Sequence, residues 1–288
     1  MRFGILATRA TETNLALATA ASRLGAAATV MTPAQALERL RPGDAALGRL
    51  DVLPTLDGIE DGLWQLRLLE RKGIRVLNPA AALTAAHDKL ATARALAAAG
   101  VVHPPTRRLV PGGPLAEIDP PVVLKPRYGS WGRDVVRCDD ARAVLSAVST
   151  LRRRPWFAVH GALVQRLVPP RGHDLRVVVA AGRVVGAVRR IAAPGEWRTN
   201  VALGAAREPT LPPAAACGLA VAAAAAAGCD LVGVDLLPVG DAWTVLELNG
   251  AVDFTHAYAQ RGDVFEATAW ALLDAARRAP VPYAAARG

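Results

Sequence analysis

An aspartate stands inside an apolar run, Leu231-Val-Gly-Val-Asp235-Leu-Leu237, and a glutamate stands inside a second, Trp243-Thr-Val-Leu-Glu247-Leu-Asn249. Short runs this rich in valine and leucine predict buried strands. An ionised carboxylate in such a strand needs a strong compensating charge. Strand alternation puts Glu247 and Asn249 on one face, and a hairpin or adjacent pairing would bring Asp235 opposite them. The three oxygen donors form a candidate hard-cation site, because magnesium takes one or two carboxylates plus phosphate oxygens instead of a full protein cage. Solvated polar ends of two strands are the plainer alternative.

The 288 residues are long enough for one large domain or two to three lobes, and 52% hydrophobic content is ample for a core. No uninterrupted apolar run reaches the roughly 20 residues of a membrane span. The start, Met1-Arg-Phe-Gly-Ile-Leu-Ala7, is short and strand-like, unlike a secretory leader. A soluble cytoplasmic protein is expected, with Cys138, Cys217 and Cys229 as reduced thiols, since their spacing suits neither a metal nor a disulfide framework.

The net charge of +9 is almost wholly arginine: of 34 basic residues only Lys72, Lys89 and Lys125 are lysines. A lysine is a compact point charge that suits a phosphate, so its rare positions are informative. The positive excess fits an anionic substrate or acidic partner; an arginine-rich solvated surface explains most of it equally well.

Residues 1–82 alternate strand-like and helix-like segments. Phe3–Ala7, Ala27–Met31 and Ile74–Leu77 read as strands, and Asn14–Leu24 and Ala34–Leu40 as helices, which predicts an α/β domain with a parallel sheet. No GxGxxG follows the first strand, so a dinucleotide site is not expected there. One helix is expected from Thr84 to Ala99, ending at Gly100. Strands follow at Pro121–Lys125, Val135–Arg137, Ala162–Val168, Asp174–Val179 and Arg183–Arg190. Helices are expected over Asp140–Leu151, Ala214–Ala227 and Val264–Arg278.

Lys125-Pro-Arg-Tyr-Gly129-Ser130-Trp131-Gly132 sets a lysine at a strand end before a glycine-bearing turn. Such a turn can aim backbone amides and a hydroxyl at phosphate oxygens. It is not a Walker loop, because the GxxxxGK[ST] order is absent. Lys89, at a helix start, is a second candidate phosphate charge. Arg171-Gly-His-Asp174-Leu-Arg176 puts Asp174 and Arg176 on one strand face. With the arginines ending Arg183–Arg190 and the polar loop Glu196-Trp-Arg-Thr-Asn200, they could hold a carboxylate or a transferring phosphoryl group, or simply form a salt-bridge lattice.

In order, Asp88-Lys89, Lys125-Pro126 with Gly129 to Gly132, Gln165 to Val168, Gly172-His-Asp174-Leu-Arg176, Trp197-Arg-Thr-Asn200, Gly233-Val-Asp235 and Glu247-Leu-Asn249 resemble the ATP-grasp carboxylate–amine ligases. The likeness is greatest to the RimK and LysX group and spans residues 78 to 255. Arg166 stands where an acidic residue often follows the glutamine, and Asn249-Gly-Ala-Val lacks the serine-proline usual in RimK itself.

The resemblance implies an α/β N-terminal domain (1–82) followed by α+β ATP-grasp lobes, a central one (83–168) and a C-terminal one carrying the metal site (169–288). It implies that Lys89 and Lys125 contact ATP phosphates beneath a lid of Gly129, Ser130, Trp131 and Gly132. Gln165, Arg166, Leu167 and Val168 would meet the adenine, with Asp174 near the ribose. Arg176, Arg189 and Asn200 would face the phosphates and an acyl phosphate. Asp235, Glu247 and Asn249 would bind magnesium, with manganese as an alternative.

The expected activity is ADP-forming amide synthesis between a carboxylate and an amino acid amine, with glutamate or a related amino acid joined to an acidic acceptor. A glutamylated cofactor or an acidic carrier protein would suit the basic charge, and a homo-oligomer is allowed. His103, His173 and His256 are candidate bases for the amine. A non-catalytic nucleotide-binding relative and a basic nucleic-acid-binding protein are the alternatives. The aromatic content of 5% and the lack of a basic–aromatic stretch argue against nucleic acid, and a complete acid triad argues against a non-catalytic relative.

Overall fold

The computed structural model describes residues 1–278; the expected third lobe runs on to 288, and 279–288 lie outside the described residues. The chain opens with β1 (Arg2–Leu6), α1 (Glu12–Arg23), β2 (Ala27–Met31), α2 (Pro33–Arg39), β3 (Ala45–Gly48), α3 (Leu63–Arg71) and β4 (Arg75–Leu77). The four strands form a parallel sheet in the order β2-β1-β3-β4, as the alternating pattern requires. Thr32 starts α2 with a reciprocal capping box to Gln35. β3 and α3 are not anticipated by the sequence reading. Ala45-Ala-Leu-Gly48 is buried on both faces and so has no alternation to detect.

The helix expected over Thr84–Ala99 is two helices, α4 (Ala80–His87) and α5 (Lys89–Ala98). Asp88 divides them. Its backbone is extended, and its side chain accepts hydrogen bonds from the amides of Leu90 and Ala91, capping α5.

A second sheet follows, from β5 (Thr106–Leu109), β6 (Val122–Lys125) and β7 (Val136–Cys138). After α6 (Ala141–Leu151) and α7 (Pro155–His160) it is completed by β8 (Ala162–Arg166), and its order is β5-β8-β6-β7. Trp156 and Phe157 fill its core with Leu124 and Val148. Leu56, from the loop after β3, is buried in the same core.

The third sheet contains β9 (His173–Ala180), β10 (Arg183–Ile191) and β11 (Ala206–Pro209). Beyond α8 (Ala214–Ala226) come β12 (Leu231–Val239) and β13 (Ala242–Asn249), and the order is β11-β10-β9-β12-β13. One face carries Leu175, Val177, Val179, Val232 and Val234 against Ala216, Ala220, Ala223 and Ala224 of α8. Those alanines recur at helical spacing, and their small side chains let helix and sheet approach closely.

The opposite face carries Val178, Ala180, Val188 and Leu231. It shares one core with Phe3 and Ile5 of the first sheet, Leu17 of α1 and Leu272 of α9 (Val264–Arg277). First and third sheets are thus cemented together, while the second has its own core. The cleft lies between the second and third.

Candidate active site

Antiparallel pairing assembles the charged centre. Register sets Arg176 of β9 opposite Asp235 of β12, Asp235 opposite Glu247 of β13, and Asp174 of β9 opposite Arg190 of β10. Directly paired residues project to the same side of a sheet. All five side chains therefore lie on the face away from α8, where Asp174, Arg190, Asp235 and Glu247 line the cleft and Arg176 braces Asp235.

Arg176 holds Asp235 through two hydrogen bonds, Nε to Oδ1 at 2.6 Å and Nη2 to Oδ2 at 2.7 Å. Arg190 adds a third to Oδ2 at 2.9 Å. Burial pushes the Asp235 carboxyl up, but the two guanidinium groups outweigh it and hold the group at about 2. Asp235 is therefore the charge-compensated acid that its apolar run demands.

Asp174 is fully buried. Both oxygens are engaged, Oδ1 with Arg190 Nε at 2.8 Å, and Oδ2 with Arg190 Nη2 and the Thr199 hydroxyl. A ribose contact does not fit a carboxylate consumed in this way; Asp174 instead orients Arg190. Arg189 is a second correction. It is exposed and one residue out of phase, on the α8 side of the sheet, so Arg190 is the arginine of that strand that enters the cleft.

The opposite wall comes from the second sheet. Lys125, at the end of β6, is buried, and its ammonium donates to Gln165 Oε1 at 2.8 Å. Burial lowers its pKa to about 8, against the opposing pull of Glu247 and with a further push from Lys89. Lys89 starts α5, donates from Nζ to the carbonyl of Gly129, and stands 3.5 Å from Glu247 Oε2. Gly129, Ser130, Trp131 and Gly132 form the turn over the cleft. Gln165, Arg166, Leu167 and Val168 line its inner wall, and Asn200 closes it opposite Gly132. The space amounts to about 950 Å³, part of it open to solvent.

Of the expected magnesium ligands, Asp235 and Glu247 are adjacent cleft residues. Asn249 lies opposite Gly233, its amide 3.5 Å from that residue's carbonyl oxygen. Among the described residues no three His, Cys, Asp or Glu side chains group to hold a metal unaided. Glu247 and the Asn249 amide oxygen are hard donors that fit magnesium completed by phosphate oxygens; Asp235, its two oxygens held by Arg176 and Arg190, would join them only by giving up one of those hydrogen bonds.

Sequence reasoning missed three features. The first is that Arg190, and not Arg189, is the member of the arginine pair ending β10 that enters the cleft. The second is the pair Asp88–Arg127, in which Arg127 grips the capping carboxylate and fixes the start of the Lys125 turn near Lys89. The third is Arg198, which donates to the carbonyl of Gly132 at 3.0 Å. The position of Asp88 before a helix-forming run was a readable capping signal; the two arginine contacts depend on register and loop path. Of the candidate bases, His173 lines the cleft, His103 a side pocket beside Lys89, Lys125 and Glu247, and His256 is exposed.

Comparison with known proteins gives this geometry its context. Residues 86–264 match the RimK-like ATP-grasp domain family. A protein named probable alpha-L-glutamate ligase from Serratia proteamaculans is 31% identical over 231 residues, covering 78% of this chain and 74% of its own. A protein of the same name from Sodalis glossinidius is 31% identical over 227 residues, covering 74% and 71%.

Among solved structures, a RimK domain ATP-grasp protein from Sphaerobacter thermophilus superposes with a TM-score of 0.71 at 26% identity, over 95% of this chain and all of that one. A D-alanine–D-alanine ligase from Bacillus anthracis reaches 0.69 at 16% identity over 96% and 97%, a likeness of fold alone. Related structures hold ATP, or ADP with magnesium.

Fold and cleft define an ATP-grasp enzyme, an ATP-dependent, ADP-forming carboxylate–amine ligase. Within that class the chain belongs to the RimK-like family.

Proposed function

We propose that the enzyme joins the amino group of L-glutamate to a carboxylate of an anionic acceptor through an acyl phosphate. The γ-phosphoryl group of ATP passes to an acceptor carboxylate oxygen and ADP leaves. The glutamate nitrogen then attacks the acyl carbon, loses a proton, and expels phosphate. The observation that carries this reading is the facing of Lys89 and Lys125 across the cleft from Asp235, Glu247 and Arg190, with Arg176 bracing Asp235. Cations to bind phosphate and hard oxygen donors stand at the two sides of one space. Phosphoryl transfer asks for positioning and charge neutralisation more than for covalent chemistry.

In this reading Lys89 and Lys125 hold ATP phosphates under the Gly129–Gly132 turn, and Gln165–Val168 forms the adenine wall. Arg176 and Arg190 stabilise charge on the transferring group. Glu247 and the Asn249 amide oxygen, joined by Asp235 if it releases an arginine, would hold magnesium, with manganese as an alternative, and the ion would neutralise phosphate charge. Glutamate as the amino acid draws support from the names of the relatives.

The anionic acceptor draws support from charge. Arg127, Arg190 and Arg198 are paired with acids. Arg133, Arg166 and Arg171 line the cleft with no acidic partner within 4 Å among the described residues. Free cations at a cleft mouth attract anions over about 10 Å at 0.1 M salt. A glutamylated cofactor or an acidic protein tail would meet that requirement. No helix among the described residues is long and apolar enough to cross a membrane, and the cytoplasm, with its ATP, is the proposed setting.

The test is a mass-spectrometric screen with ATP, magnesium, L-glutamate and a panel of acidic acceptors. An acceptor gaining the mass of glutamate less water supports the reading. Adducts with other amino acids but never with glutamate would overturn it.

A further inference from the structure

The turn Gly129–Gly132 has a fastening that ATP binding alone does not require. Trp131 has φ 63° and Gly132 φ 72°. A positive φ is strained for a bulky residue such as tryptophan and persists only where surrounding contacts over-determine it. Trp131 is 61% exposed, with only the Arg133 guanidinium over its ring at 5.9 Å, so its own packing supplies little of that hold.

At one end Lys89 holds the carbonyl of Gly129; at the other the contacts come from the loop after β10. Arg198 Nη1 donates to the carbonyl of Gly132 at 3.0 Å and lies 3.4 Å from that of Val135. Its other nitrogens are held by Glu196, Nε at 3.0 Å and Nη2 at 2.8 Å. Arg198 keeps the Glu196 carboxyl down at about 2, so the pair is charged at working pH. The fit is close: a Cβ on Gly132 would stand 2.8 Å from Asn200 Oδ1 and 3.2 Å from Leu203 Cδ1.

The neighbouring residue extends the connection. Thr199 donates its hydroxyl proton to Asp174, which holds Arg190, which holds Asp235. One step along the backbone thus links the turn to the acids of the opposite wall.

We infer that Arg198, held by Glu196, is a positioning residue that clasps the Gly129–Gly132 turn shut over the nucleotide and ties its closure to the Asp174–Arg190–Asp235 cluster. The role rests on the ligase reading. Closure of this kind keeps water from a reactive intermediate and slows loss of bound nucleotide.

Two measurements test it on the full-length protein, comparing wild type with Arg198→Ala, Arg198→Lys and Glu196→Gln. Lysine keeps the charge but not the fork that grips Glu196 while reaching Gly132. Glu196→Gln leaves the arginine in place but removes its charged brace, and so remains informative where Arg198→Ala folds poorly. Exposed Arg137→Ala serves as the control.

In the ligand-free protein, amide hydrogen exchange over residues 129–135 should speed up by at least about tenfold in Arg198→Ala, the scale of one charge-assisted hydrogen bond. It should speed up less in the other two, with β9 and β12 unchanged. In stopped-flow displacement, MgADP should leave Arg198→Ala at least about tenfold faster, with little change in association. Exchange within twofold of wild type would overturn the clasp. Faster exchange with unchanged MgADP release would overturn its role in holding nucleotide. Because the exchange arm needs no ligand, a wild-type protein that bound no MgADP would count against the ligase assignment, separately from the clasp.

Discussion

Arg176 and Asp235 face each other on adjacent strands and are joined by two charge-assisted hydrogen bonds of 2.6 and 2.7 Å. Asp235 also neutralises Arg190, so it serves the fold as well as the site. Its replacement should therefore differ from that of Glu247. Asp235→Asn leaves two largely buried guanidinium groups under-compensated, a change worth about 3–5 kcal/mol of stability. Glu247, half-buried at the cleft edge, should go to Gln with little loss of stability but with most magnesium-dependent turnover gone. Melting curves and activity for both variants check this; equal melting points would show that Asp235 has no structural share.

The parity of β10 gives a second expectation. Arg190→Ala should abolish turnover and destabilise the protein, since it strips Asp174 and Asp235 of their shared partner. Arg189→Ala, on the other face of the sheet, should stay within about 0.5 kcal/mol of wild type in stability and keep its activity. Loss of activity in both would mean that the cleft reads that strand differently.

The lysines separate phosphate contact from general charge. Lys125→Ala and Lys89→Ala should each weaken ATP binding by about 1.5–3 kcal/mol, the range for hydrogen bonds to charged groups. Exposed Lys72, at the end of α3, should be silent on replacement. Calorimetry distinguishes these outcomes, and equal losses in all three would leave only a long-range field.

Lys125 also predicts a pH dependence. Its pKa in the folded protein is lowered to about 8, so below that value the ammonium is ready for phosphate and above it the free enzyme loses the charge. ATP affinity should fall as pH rises through about 8, with proton uptake on binding in that range. For stability the sign is opposite. Between about 8 and the ordinary lysine value of about 10.4 the unfolded chain binds more protons, so this group raises stability with pH there. Calorimetry in buffers of different ionisation enthalpy reads the proton uptake; ATP affinity flat from pH 7 to 9 would remove Lys125 from the phosphate site.

The sequence carried the chemistry better than its spatial arrangement. Asp235, Glu247, Lys125 and the glycine turn were legible because a charge in an apolar run, or a rare lysine at a strand end, is costly without a purpose. The facing of side chains across strands was not. Arg189 and Arg190 differ by one position, and only the pairing of Arg190 with Asp174 and of Arg189 with Leu175 decides which enters the cleft. The break between α4 and α5 carries no glycine or proline; its one readable mark is the capping aspartate Asp88, which the continuous helix-forming run around it outweighs. Ala45–Gly48 is too short and too evenly buried to show a period. The shared core of the first and third sheets joins residues about 250 positions apart, Leu17 with Leu272 among them, which no local pattern reveals.

The most direct test of the proposed chemistry follows oxygen. With the acceptor carboxylate labelled with oxygen-18, ATP, magnesium and L-glutamate, an acyl phosphate route carries one labelled oxygen into inorganic phosphate for each amide formed, with ADP as the only nucleotide product. Label in AMP together with pyrophosphate release, or unlabelled phosphate beside a labelled amide, would contradict it.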